Sequence, residues 1–116
     1  MRVTSALWVG AFVRRCYAQD APAVVTHRGA EEAGAIFIVI ERLDGTADLY
    51  GPAPQAVFDE AKPSDRLFQK LTAAEPLSAV NERIARETRF DPDLWVVTVE
   101  DRAARVLFET VPPEKS

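Results

Sequence analysis

Carboxylates are the residues of this chain with the most chemistry to offer. Glu31 and Glu32 are adjacent, Asp44 and Asp48 flank an Asp-Gly turn signal, Asp91 and Asp93 bracket Pro92, and Glu100 precedes Asp101. Paired carboxylates hold Mg²⁺ or move protons when they converge in space. Their spacing here does not impose convergence, and Asp-Pro-Asp is also explained as a turn that hydrogen-bonds its own backbone. Nucleophiles are scarce. The single His27 lies in a strand pattern with no serine or cysteine spaced for a triad, and is read as a hydrogen-bonded structural residue. Cys16 falls on an apolar helical stripe, where a thiol behaves as a small inert hydrophobe.

The cations are mostly arginine, with lysine only at Lys62, Lys70 and Lys115 among the fourteen basic residues. Arg forms forked contacts with carboxylates, so an ion-pair or interface role is expected. Arg83, Arg86 and Arg89 share a helical segment in which Glu82–Arg86 and Arg83–Glu87 are spaced as i,i+4 pairs. Arg14, Arg15 and Arg28 are the remaining candidates for an anion or RNA contact, without the stacking aromatics that a single-strand groove requires. No glycine-rich phosphate loop is present. Gly29, Gly34, Gly45 and Gly51 fall at expected strand ends, where positive φ is useful. Tyr50-Gly51-Pro52-Ala53-Pro54 forms a rigid corner that would suit a pocket lip or an ordinary strand exit.

These residues need a scaffold, and 116 residues supply one domain that buries roughly two-thirds of its unfolded surface. We expect a single α+β domain over 1–110 and a frayed tail over 111–116. The net charge of −4 and pI near 5.0 argue against duplex DNA or an anionic membrane as a general partner. One cysteine excludes an internal disulfide and a thiolate cluster, which fits a reducing compartment. Arg2 followed by the apolar run 6–13 imitates a signal peptide, but Arg14-Arg15 ends the run far short of the roughly 20 residues a span requires. A cytoplasmic protein is expected.

Periodicity predicts the elements. A first helix, capped by Thr4 or Ser5, turns Trp8, Val9, Phe12, Val13 and Cys16 inward and Leu7 outward. Strands follow over 23–28, 35–42 and 46–50, the last two joined as a hairpin at Asp44-Gly45. A polar excursion at 60–65 leads to 67–71, a strand or short helix. A second helix over 78–88 has Leu77, Val80, Ile84 and Thr88 on one face and stops before Pro92. Residues 94–100 form the last firm strand, and 104–109 could return beside it. Phe90, Trp95 and Trp8 are read as core or turn-packing residues. The runs 36–40 and 94–99 are apolar on both faces, so they belong at the centre of the sheet. The expected fold is α+β, a mostly antiparallel sheet of four to five strands packed by two helices in the order α-β-β-β-(β)-α-β.

Three blocks stand out in this chain: Leu7-Trp8-Val9 with Arg14-Arg15; Arg28-Gly29-Ala30-Glu31-Glu32-Ala33-Gly34-Ala35-Ile36-Phe37 with Leu49-Tyr50-Gly51-Pro52-Ala53-Pro54; and Arg86-Glu87-Thr88-Arg89-Phe90-Asp91-Pro92-Asp93-Leu94-Trp95-Val96-Val97. With these blocks in this order the chain resembles a bacterial domain-of-unknown-function family of short stand-alone proteins. The resemblance implies a self-contained cytoplasmic domain and carries no activity, cofactor or catalytic residue. Its polar positions direct attention to Arg28, Glu31, Glu32, Tyr50, Arg86, Glu87, Asp91 and Asp93. The functional expectation is a homodimeric binding module that recognises a protein or a small anionic ligand, with no cofactor or resident metal. Two alternatives are a metal-assisted hydrolase using Glu31, Glu32, Asp91 or Asp93, and RNA binding through Arg14, Arg15 and Arg28.

Overall fold

The computed structural model describes residues 3–54 and 66–111. The element order is α1 (Ser5–Ala18), β1 (Ala23–His27), β2 (Ile36–Glu41), β3 (Thr46–Pro52), β4 (Phe68–Pro76), α2 (Leu77–Phe90) and β5 (Trp95–Glu100). This is the expected α+β arrangement, with the optional fourth strand present and longer than the 67–71 segment that suggested it. The excursion expected over 60–65 and residues 112–116 of the expected tail lie outside the described residues.

The strands form one sheet in the order β1-β5-β2-β3-β4. The two doubly apolar strands, β2 and β5, are interior as expected, and they run parallel, with Ile36 opposite Trp95 and Ile40 opposite Val99. Their neighbours pair antiparallel. A parallel pair cannot be closed by a tight turn. Here the β3–β4 hairpin and α2 together supply the connection.

Alternation splits each interior strand between two apolar layers. Ile36, Ile38, Ile40, Trp95, Val97 and Val99 belong to the layer that contains Val9, Phe12 and Cys16 of α1. Phe37, Val39, Leu94 and Val96 pack instead with Val80 of α2, with Ile84 and Leu77 at the border. Each fully buried side chain of this size contributes roughly 1.5–3 kcal/mol. The α1 helix begins where expected, the Thr4 hydroxyl accepting from the Leu7 N–H at 3.2 Å. Leu7 is exposed, as its position off the stripe requires.

The hairpin turns at Leu43 (φ 64°) and Gly45 (φ 90°). Asp44 Oδ1 accepts from the Thr46 N–H (2.9 Å) and hydroxyl (2.6 Å), and these bonds hold its carboxyl below the usual range. The Gly45 carbonyl then receives the Leu77 N–H at 2.9 Å, which ties the start of α2 to the hairpin.

Residues 104–109 do not return as a hairpin strand; just beyond them Thr110 makes one isolated bridge to Phe68. The cause is the turn at Asp101. Its carboxylate accepts from the Arg105 N–H and Nε, both at 2.9 Å, while Ala104 takes φ 54°. Burial works against ionisation of Asp101, but the Arg105 and Ala103 hydrogen bonds prevail and its carboxyl stays below the usual range. The redirected chain places Phe108 against Phe12, Tyr50 and Phe68, with ring centroids 5.7, 4.9 and 5.2 Å away. Edge-to-face packing of this kind closes the α1 layer.

The glycines act differently from the expectation of positive φ. Among the described glycines, Gly45 has it; Gly29 and Gly34 serve close backbone approach. A Cβ on Gly29 would lie 2.1 Å from the Asp93 carbonyl oxygen, and one on Gly34 would lie 2.3 Å from the same atom. Gly51 stands inside β3, where a Cβ would meet the Leu71 and Phe37 side chains.

Gly29→Ala should therefore cost about 2–3 kcal/mol, because backbone has to move. Gly10→Ala should add about 0.5–1 kcal/mol, since its Cβ would meet only Arg14 Nη1, at 3.7 Å, within α1. Urea midpoints of the two variants against the parent check both signs. A second expectation concerns Cys16, whose thiol is pushed up to about 11 by burial, despite Arg15 and Arg105 nearby. Its ordinary value is 9.0, so the unfolded chain loses the proton first. The stability it contributes is complete below about pH 9 and is lost towards pH 11. Chemical denaturation across that window should show a decline that is shallower in Cys16→Ala.

Candidate functional site

The β1–β2 loop and the α2–β5 turn meet at the carboxyl end of α2. The turn is built by Asp91, as its sequence predicts: Oδ1 accepts from the Asp93 N–H at 3.1 Å and its carbonyl receives the Leu94 N–H at 3.2 Å. Asp91 also caps α2, donating its N–H to Glu87 O at 2.9 Å. Gly29 and Gly34 let the loop close on the Asp93 carbonyl, which accepts from the Ala30 N–H at 2.8 Å. Trp95, buried beneath, donates Nε1–H to the Ala30 carbonyl at 2.8 Å.

The start of α1 docks on the same loop. Its Ser5 and Ala6 N–H groups donate to Glu32 O and Glu31 O, each at 3.0 Å, and the fully buried Ser5 hydroxyl donates to Gly34 O at 2.7 Å. Two of the otherwise orphan donors at a helix start are thus satisfied by loop carbonyls. Their side chains are left facing outward as a consequence.

Glu31, Glu32, Asp91 and Asp93 all line one shallow, open depression of about 600 Å³, floored by Ala30, Gly34 and Ala35. The four candidate carboxylates are therefore brought to one place, each exposed to solvent. Among the described residues, no three His, Cys, Asp or Glu side chains are grouped closely enough to hold a metal ion. Arg28 sits nearby with its guanidinium 5.1 Å from the centre of the Trp95 ring. That contact fixes a cation beside the acidic depression.

Tyr50 and Arg86 lie elsewhere. Tyr50 is buried in the α1 layer against Phe108, with Lys70 Nζ 5.7 Å from its ring centre. Arg86 lines a separate cavity between α2 and the β3–β4 pair. Of the two i,i+4 pairs on α2, Arg83–Glu87 forms at 3.6 Å, whereas Arg86 has no ion pair among the described residues. Arg15 is engaged in the fold, donating to Leu107 O at 3.0 Å. His27 is structural as expected: Nδ1 lies 2.8 Å from Leu94 O, and since a carbonyl only accepts, Nδ1 carries the proton.

One surface residue escaped the sequence reading. Phe90, expected to pack in a core or turn, is 90% exposed. The signal was available in the helical stripe. Leu77, Val80, Ile84 and Thr88 recur at three- and four-residue steps, and position 90 falls off that series.

No helix among the described residues is long and apolar enough to cross a membrane. No functionally curated protein matches the chain. The solution structure of protein Atu0922 from A. tumefaciens is similar, at 37% identity over 100% of both chains with a TM-score of 0.83. A crystal structure of a DUF1491 family protein from Caulobacter crescentus CB15 shares 28% identity, covering 97% of this chain and all of that one, with a TM-score of 0.76. An NMR structure of a protein of that family from the same organism gives the same identity and TM-score. Residues 3–109, nearly all of the described fold and both sides of the acidic depression, match the family described as protein of unknown function (DUF1491), and the chain belongs to it.

Proposed function

We propose that this protein is a cytoplasmic interaction module whose contact surface is Phe90 together with the acidic depression beside it. The observation that carries this reading is a nearly fully exposed phenylalanine immediately preceding Asp91, which lines the depression with Glu31, Glu32 and Asp93. Aromatic anchors dominate interface energetics when a partner buries them, and a charged rim selects the partner. The matching surface is an apolar pocket bordered by arginine or lysine, and a partner protein fits it better than a free anion does. A second copy of the chain is the simplest such partner, given its own exposed Arg14 and Arg28, so homodimerisation belongs to this reading. The lone buried Cys16 supports the reducing compartment.

A photocrosslinking residue at position 90, introduced into the protein in bacterial cells, tests the reading. A discrete adduct, either a dimer or one heterologous protein, is expected, and it should disappear when Asp91 and Asp93 are both changed to Lys. Crosslinking no stronger than from the exposed control position 82 would overturn it. In the dimer case, Phe90→Ser should weaken self-association by about tenfold or more in sedimentation experiments.

A further inference from the structure

The groove between α2 and the β3–β4 pair has a chemistry of its own, independent of the Phe90 surface. It encloses about 180 Å³ and is lined by Leu49, Thr72, Glu75, Ala79, Val80, Arg83 and Arg86. Leu49 and Val80 are buried and give it an apolar floor. Thr72 pairs with Leu49 across the sheet, so it faces α2. Its hydroxyl oxygen is buried and has no hydrogen-bond partner among the described residues. Valine would fill the same space without leaving a polar atom unmet, and a buried unmet hydroxyl is costly. The hydroxyl is therefore best explained by a group that enters the groove.

We infer that this groove binds a small carboxylate with an apolar body. Arg86 supplies the unengaged guanidinium, and Arg83, shared with Glu87 at 3.6 Å, supplies a second. Arginine forks match a carboxylate's two oxygens, and Thr72 Oγ1 can donate a further hydrogen bond. Charge sets the valence. Arg83 is already shared with Glu87 and Glu75 adds a negative charge to the lining, so Arg86 is the one cation left to meet a ligand, which suits a single negative charge and opposes a dianion. Size and floor set the rest: the volume is well below the roughly 300–1,000 Å³ of drug-sized sites, and Leu49 and Val80 favour a short hydrocarbon body over a fully hydrated oxyanion.

The test is titration of ¹⁵N-labelled full-length protein with sodium isobutyrate and, separately, with inorganic phosphate at constant ionic strength. Saturable isobutyrate shifts at the Thr72, Val80, Arg83 and Arg86 amides are expected, with phosphate producing none there. Arg86→Gln, at an exposed position, should keep the fold and raise the isobutyrate Kd by about tenfold. Thr72→Val should also weaken binding while leaving the thermal midpoint unchanged or raised, because the unmet hydroxyl is gone. Phe90→Ser should leave the isobutyrate Kd unchanged, which separates this site from the interaction surface. The inference is overturned if isobutyrate leaves those amides unmoved, if phosphate binds there as well, or if Arg86→Gln changes Kd less than about twofold. A lower midpoint for Thr72→Val would overturn it too, since the hydroxyl would then serve the fold.

Discussion

The Asp93 carbonyl is the point on which the arrangement of this protein depends. Gly29 and Gly34 both approach it at distances that exclude a Cβ, and Ala30 hydrogen-bonds to it. Through that atom the β1–β2 loop is locked to the α2–β5 turn, and through Glu31, Glu32 and Gly34 the same loop receives the start of α1. Three segments far apart in sequence meet there, so the parallel β2–β5 register and the seat of α1 are linked. The acidic depression is a by-product of this geometry: backbone groups turn inward to bond, and the carboxylates turn out.

A second buried polar contact governs the β3–β4 end of the sheet. Asp48, almost fully buried, accepts from Arg42 Nε and Nη2 at 3.1 and 2.9 Å and from the Ala74 N–H at 2.7 Å. A buried carboxylate needs such partners to avoid a large desolvation cost. The hydrogen bonds Arg42 donates to Asp48, then the Asp48 charge, raise the Arg42 guanidinium further above an already high value. The bond to Ala74, at φ 52°, accompanies the irregular register between β3 and β4. A bulged edge strand that ends at Pro76 is a poor template for another strand. Sheet extension is thereby disfavoured at the β4 edge.

Much of the fold was legible in the chain. Alternation and stripes mark short-range facts: which strands are doubly apolar, which helix residues turn inward, where Asp44-Gly45 reverses the chain. The β3–β4 register was less so, because it depends on a bulge and a buried Asp48 that no periodicity records. The 104–109 segment has strand-like composition, yet a staple between Asp101 and Arg105 bends it and sets Phe108 against the core. Local propensity lost there to a specific hydrogen bond.

The site divides in the same way. Local patterning in the chain marks the α+β class, the central places of β2 and β5, the capped start of α1 and the Asp91 turn, because each rests on contacts within a few residues or on a two- or 3.6-residue period. Only tertiary structure decided that Glu31 and Glu32 share a depression with Asp91 and Asp93, that Tyr50 is core, and that Arg86 faces a different cavity from Arg28. Those outcomes depend on how closely two loops approach and where a helix lies across a sheet. Such distances are set by packing between distant segments, which no spacing along the chain encodes.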